Sequence, residues 1–396
     1  MDKVKKINDI WLKAAVLGGL WATIEIILGS FFHNLRLPFS GTMLAIIGIV
    51  LMISFYQKWP EKGLVWRAGL ICALMKSISP SAVILGPMLG IMTEALILSF
   101  FIYIFGNRLL SFVVAAPLAV FSALIHKIIS VIILYGYNIV KLYKNIYYFA
   151  VKQLHWQHED PMIVIYVLMG MYLILGLFAA LFGWYIGRLS TEKPISVEKE
   201  LHNIRLRSNP FAVKSNFKHS VLLLFIHILI IPVALFFLNF FDHYPVYLIV
   251  SGYLGFSFWR YGKFLRRFQK LTFWWQLFIL TILAGIFITG LQKEGNFFTW
   301  EGIWIGLGMN FRAIFVVVAF SSLGVELKNK KIKDFLFRKG FQVIYQVLEL
   351  SFAALPMFIQ SMPPAKKFIR RPVRSLSGLL ASADEWLEIF EEENKK

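Results

Sequence analysis

One cysteine in 396 residues, Cys72, has no partner within the chain, so a disulfide framework is excluded. Charge is scarce as well: Asp, Glu, Lys and Arg make up 16% of the residues, and there are 8 histidines. Local catalytic signatures are missing too. No G-x-x-x-x-G-K-[ST] phosphate loop occurs, so ATP hydrolysis by that route is excluded for this chain. H-E-x-x-H, G-x-S-x-G, Cys/His zinc spacings and D-D-x-x-D clusters are absent, which disfavours metalloprotease, serine-hydrolase and diphosphate chemistry. The one local His/Asp/Glu cluster, "HWQHEDP" (His155–Pro161), reads as a solvated loop. No cleavable leader is expected, because the first apolar span, near Trp11, has no small-residue cleavage site.

What fills the chain is apolar surface. Hydrophobic residues reach 58% and the mean hydropathy is +0.67, more than a soluble core absorbs. The expected class is all-α, a polytopic membrane protein. The formal charge of +19 could suggest nucleic acid. The basic residues sit between apolar spans instead of on a domain, so they read as loops lying against anionic lipid.

Runs long enough to cross roughly 30 Å of hydrocarbon predict about ten transmembrane helices, six plus four. The first six fall near 11–32, 41–56, two within 64–105, 109–136 and 161–187. "KSISPS" (Lys76–Ser81) divides the 64–105 stretch, since Pro80 and its serines disfavour continued helix. The later four fall near 220–240, 245–258, 272–291 and 301–323. Four segments follow: a membrane module over 1–190, a basic linker over 191–218, a four-helix module over 219–325, and a charged region over 326–396. Lysine and arginine placement puts both termini in the cytoplasm. One outer loop dissents, carrying Lys141, Lys144 and Lys152. "FQVIYQVLELSFAALPMFIQ" (Phe341–Gln360) stacks Gln342, Gln346 and Glu349 on one face and reads as an amphipathic helix at the cytoplasmic interface. "SADEWLEIFEEENKK" reads as an acidic, solvent-facing, solubilising end.

The first span opens with small residues, Ala14, Gly18 and Ala22 every four positions, with Ala15 and Gly19 alongside. Small side chains let membrane helices approach closely, and ordinary bundle packing accounts for such a ladder equally well. A six-helix module with this ladder on its first helix, followed by "HNLRLPFSG", resembles the substrate-binding S component of an energy-coupling factor (ECF) transporter. Gly308–Phe358, with Arg312, Ser321, Ser322 and Pro356, resembles the transmembrane T component. The resemblance implies an S-like half fused to a T-like half, docked through Ala14, Gly18 and Ala22. It implies cargo binding in one half and coupling in the other, with ATP hydrolysed by ATP-binding cassette or other subunits in trans. T components carry Ala-Arg-Ser or Ala-Arg-Gly motifs that engage those ATPases. This chain has Val373-Arg374-Ser375 and Arg338-Lys339-Gly340 instead, so Arg338, Gly340, Arg374 and Ser375 are the coupling candidates.

Glu25 lies about 12 residues past Lys13, roughly 18 Å along a helix, and within roughly 20° of the small-residue stripe. A carboxylate at that depth needs a partner. Glu25, His33, Arg36, Lys76, Glu94, His126 and Lys127 are the candidate pocket; the alternative is a set of ion pairs that fix helix register. The mixture with lysines and an arginine suits an anionic or zwitterionic solute better than a metal, although Glu25, His33 and Glu94 are a plausible ligand set. In the cobalt and nickel uptake relatives a histidine directly follows the initial methionine, and here residue 2 is Asp. The expectation is an ATP-driven ECF-type importer subunit in a prokaryotic inner membrane, for a vitamin-like molecule, an anion or a trace metal. It binds no cofactor directly and is not itself an enzyme. Two other readings stand: a proton-coupled secondary transporter using Glu25 or Glu94, and a lipid-modifying membrane enzyme. The halves show no internal symmetry of the kind a secondary transporter predicts.

Overall fold

The computed structural model describes residues 7–34, 39–76, 85–155, 160–192, 219–240, 244–269, 271–288, 299–326, 342–363 and 370–395. Among these residues there is helix and turn but no strand. The helices are α1 (Asp9–Asn34), α2 (Ser40–Lys58), α3 (Leu64–Lys76), α4 (Leu85–Phe105), α5 (Leu109–Tyr135), α6 (Asn138–Leu154), α7 (Met162–Glu192), α8 (Val221–Phe240), α9 (Tyr244–Tyr261), α10 (Leu271–Phe287) and α11 (Trp300–Glu326). Beyond them lie α12 (Gln342–Ala353), α13 (Leu355–Ser361), α14 (Pro372–Ala381) and α15 (Ala383–Lys395).

Seven of these are long and apolar enough to cross a membrane: α1, α2, α4, α5, α7, α8 and α11. The number becomes eight if α12 and α13, bent by 45° at their junction, count as one broken span. Of the ten expected spans, α3, α9 and α10 do not meet that test among the described residues. Helix α3 has 13 residues and α10 has 17, both short of the roughly 20 a span needs. One face of α8 points apolar side chains outward, Leu222 at 70% and Leu229 at 68% exposure, as a lipid-facing surface requires. The chain is built as a multi-pass membrane protein.

Helix α1 packs on α3, α3 on α4, α4 on α5, and α7 on both α2 and α5. Glycines set how close these helices come. A methyl on Gly176 of α7 would lie 2.4 Å from Pro117 Cα of α5, so the two backbones touch where Pro117 interrupts α5. A methyl on Gly69 of α3 would lie 2.2 Å from Ala95 Cβ of α4. Buried Ser54 of α2 donates to Gly183 O of α7 at 3.0 Å.

The segment expected as an amphipathic helix at the cytoplasmic interface buries its apolar face against the protein. Val347, Leu355, Met357 and Phe358 of α12 and α13 belong to the same apolar core as α1 and α3. The acidic end is not a free tail either. Trp386 and Phe390 of α15 are fully buried and pack against Phe358, at 5.3 and 6.2 Å between ring centroids. Helix α15 has two faces, and the acid-rich composition conceals the apolar one. Asn394 fastens it to the start of the chain, accepting from Ile7 N at 3.1 Å and donating to Ile7 O at 3.2 Å.

The remaining helices form smaller clusters. Helices α8, α9 and α11 share one, with Leu238, Leu254 and Phe315 buried. Helices α10, α11 and α6 share another around Ala284, Met309 and Leu142. Helix α6 occupies the loop that dissented on charge. Its Ile139, Leu142 and Ile146 follow helical spacing and face α10, while Lys141, Lys144 and Lys152 are exposed.

Candidate functional site

Three of the sequence candidates meet between α1, α3 and α4. Glu25 on α1 is 6% exposed, and Glu94 on α4 is 5% exposed. Lys76 is the last described residue of α3, and the rest of the "KSISPS" stretch expected to break the helix lies outside the described residues. Lys76 Nζ lies 3.2 Å from Glu25 Oε2 and donates to Glu25 backbone O at 3.0 Å. Gly29, one turn further along α1, lies beside the lysine. Glu94 is within electrostatic range of Glu25. Cys72, four residues before Lys76 and fully buried, is within range of all three. Lys76 thus pairs with Glu25, while Glu94, buried on α4 nearby, has no ion-pair partner among the described residues. Such a set accommodates one further positive charge, on a proton or a solute.

The other pocket candidates do not join this cluster through any contact among the described residues. Lys127 is exposed on α5, with Nζ 5.0 Å over the ring of Phe39 at the start of α2. His126 beside it is half-buried. The His33 side chain and all of Arg36 lie outside the described residues, as do Arg338 and Gly340. Arg374 is exposed on α14, and Ser375 beside it is buried. No three His, Cys, Asp or Glu side chains come together as a metal site among the described residues.

The small-residue ladder divides between two neighbours. Ala14, Ala15 and Ala22 are all fully buried. A methyl on Gly18 would lie 2.7 Å from Ala68 O and 2.8 Å from Ile71 Cβ, so Gly18 faces α3. The adjacent stripe faces the C-terminal helices. A methyl on Gly19 would lie 2.6 Å from Phe358 Cε2, and Ser351 Oγ donates to Ala15 O at 3.2 Å. Helix α1 therefore carries Glu25 into the polar cluster and, about 9 Å back along its axis, seats α12 and α13.

The second half holds two further polar arrangements. Arg312 of α11 donates from Nε to Leu238 O at 2.9 Å and from a guanidinium nitrogen to Tyr135 O at 3.3 Å. These carbonyls belong to the last turns of α8 and α5, so the guanidinium satisfies helix ends from both halves. The second is a buried chain that sequence reading missed. Glu326, at the end of α11, accepts from Ser220 N and from Tyr261 OH, each at 2.7 Å, with Arg260 at 3.5 Å. Tyr261 OH continues to His227 Nε2 at 3.0 Å, and His227 Nδ1 to Tyr253 OH at 2.8 Å. The signal was present in the sequence. A lone histidine stands in "LLLFIHILII", and Tyr253 and Tyr261, eight apart, share one helix face.

No protein-family model, curated protein or solved structure matches the chain.

Proposed function

We propose that the chain is the membrane subunit of a solute importer, holding cargo at Glu25, Lys76 and Glu94 and coupling that site to a motor in trans. One observation carries the reading: the helix that supplies Glu25 to the polar cluster also seats α12 and α13 through Ala15 and Gly19. Occupancy that shifts α1 by a fraction of an ångström is felt by Phe358, because a packed contact transmits displacement. The resemblance to ECF transporters supports a primary importer, with ATP hydrolysed by a separate subunit that reads α12 to α15. Two carboxylates against one lysine favour a small solute bearing a positive centre, zwitterions included.

The same charge count supports a second reading, in which Glu25 or Glu94 carries a proton and the chain is a secondary transporter. Purification of the full chain from its native membrane separates the two. A nucleotide-hydrolysing subunit that co-purifies, with uptake insensitive to a protonophore, supports the primary importer. Uptake that collapses with a protonophore and continues without any ATPase moves the protein to the second reading.

A further inference from the structure

At the end of the bundle where α1 begins, a cavity of about 410 Å³ opens between the start of α3 and the end of α4. Its mouth is cationic. Lys62 Nζ lies 5.2 Å over the Tyr103 ring, and the Arg67 guanidinium is held 5.0 Å from Trp11 and 4.5 Å from Trp66. Arg67 also donates to Gly63 O at 3.1 Å, a fold-back that only glycine permits: Gly63 has φ +90°, and a methyl there would lie 2.3 Å from the guanidinium. Among the described residues neither Lys62 nor Arg67 has an ion-pair partner. Glu61, the adjacent carboxylate, is taken by Lys13. Ser99 of α4 accepts from Trp66 N at 3.0 Å, capping the first turn of α3 and keeping its hydroxyl proton to donate. Below the mouth the wall turns apolar along the lipid-facing side of α4, where Phe100 is 59% exposed.

We infer that this cavity binds an anionic phospholipid, its phosphate between Lys62, Arg67 and the Ser99 hydroxyl, and an acyl chain along Phe100. Two cations and a hydroxyl donor at the mouth match a phosphate, and aromatic rings at that level match a headgroup region. The apolar wall below gives the chains a place that a free phosphate would not use. The site is independent of the transport reading.

Native mass spectrometry of the full chain in detergent tests it, with phosphatidylglycerol, phosphatidylcholine and inorganic phosphate as probes. The unmodified chain should retain one phosphatidylglycerol in preference to phosphatidylcholine. Lys62→Gln should weaken that first lipid about fivefold, and Lys62→Gln with Arg67→Gln roughly 25-fold. Lys152→Gln on α6 should leave it unchanged. Because Arg67 stacks between two tryptophans, Lys62→Gln alone, at an exposed side chain, keeps the test valid if the double variant misfolds. Equal retention of the two lipids, unchanged binding by Lys62→Gln, or displacement of the lipid by equimolar inorganic phosphate would overturn the assignment.

Discussion

Each half of the chain buries acidic side chains, and the two halves treat them differently. Glu326 is fully enclosed and saturated: a backbone amide, a phenol and a guanidinium converge on its two oxygens. Those partners come from the start of α8 and the end of α9, so the carboxylate ties three helix ends together. Glu25 and Glu94 are nearly as buried, yet among the described residues the pair has one cationic partner, Lys76, which bonds Glu25. A saturated acid stabilises one arrangement of helices. An acid pair with one counter-charge leaves room for a proton or a ligand, and such sets cluster at functional sites.

The largest effect should therefore come from Glu326. Glu326→Leu leaves Arg260, Tyr261 and the Ser220 amide without their common acceptor, and should cost about 3–5 kcal/mol of stability. Thermal unfolding of the purified chain reads it. Glu326→Gln keeps an acceptor for Tyr261 and should cost less. If Glu326→Leu unfolds no earlier than the unmodified chain, the distinction between a structural and a functional acid fails.

The next effect compares adjacent glycines on α1. Gly18→Val forces a side chain onto the α3 backbone carbonyl of Ala68, which cannot move aside, and should cost about 1–3 kcal/mol through overpacking. Gly19→Val meets the edge of the Phe358 ring instead. It should lift α13 and α15 from α1 while the six-helix core stays folded. Limited proteolysis within 342–395, read beside the unfolding temperature, distinguishes the two. Equal protease sensitivity in both variants would show that the two stripes do not have separate partners.

Much of this was legible in the chain. Apolar runs located the seven helices long and apolar enough to cross a membrane. A carboxylate among leucines and isoleucines marked Glu25. What was not legible depended on partners distant in sequence. Residues 342–361 look amphipathic in isolation, and only α1 and α3, more than 250 residues earlier, show that their apolar face is covered within the protein. The acids of α15 dominate its composition and conceal Trp386 and Phe390. The ladder announced close packing, but periodicity could not say that Gly18 and Gly19, one residue apart, face different helices.

A smaller effect on stability, with a larger one on function, is expected from Glu25→Gln and Glu94→Gln. Each removes a charge from a set already rich in acid, so unfolding should shift by about 1 kcal/mol or less, in line with polar contacts inside membrane proteins. Uptake should fall far more than expression. Equal loss of stability in Glu25→Gln and Glu326→Gln would return Glu25 to the role of an ion pair that fixes helix register.

The smallest effect concerns how α15 is held. Asp384 lies 2.8 Å from Lys58 Nζ and accepts from Trp59 Nε1 at 3.3 Å, at the same end of the molecule as the cationic cavity. The Asp384 side chain is 61% exposed, so the ion pair works against a strongly screening solvent, whereas Trp386 and Phe390 beside it are fully buried. Apolar burial should dominate the docking. Asp384→Asn keeps an acceptor for Trp59 and removes only the charge, so it should cost about 0.5 kcal/mol in low salt and nothing measurable in 1 M NaCl. Trp386→Ala removes a buried ring and should cost about 3 kcal/mol or more at either ionic strength. A salt-dependent loss in Trp386→Ala, or an Asp384→Asn loss that persists in 1 M salt, would mean that electrostatics hold α15 in place.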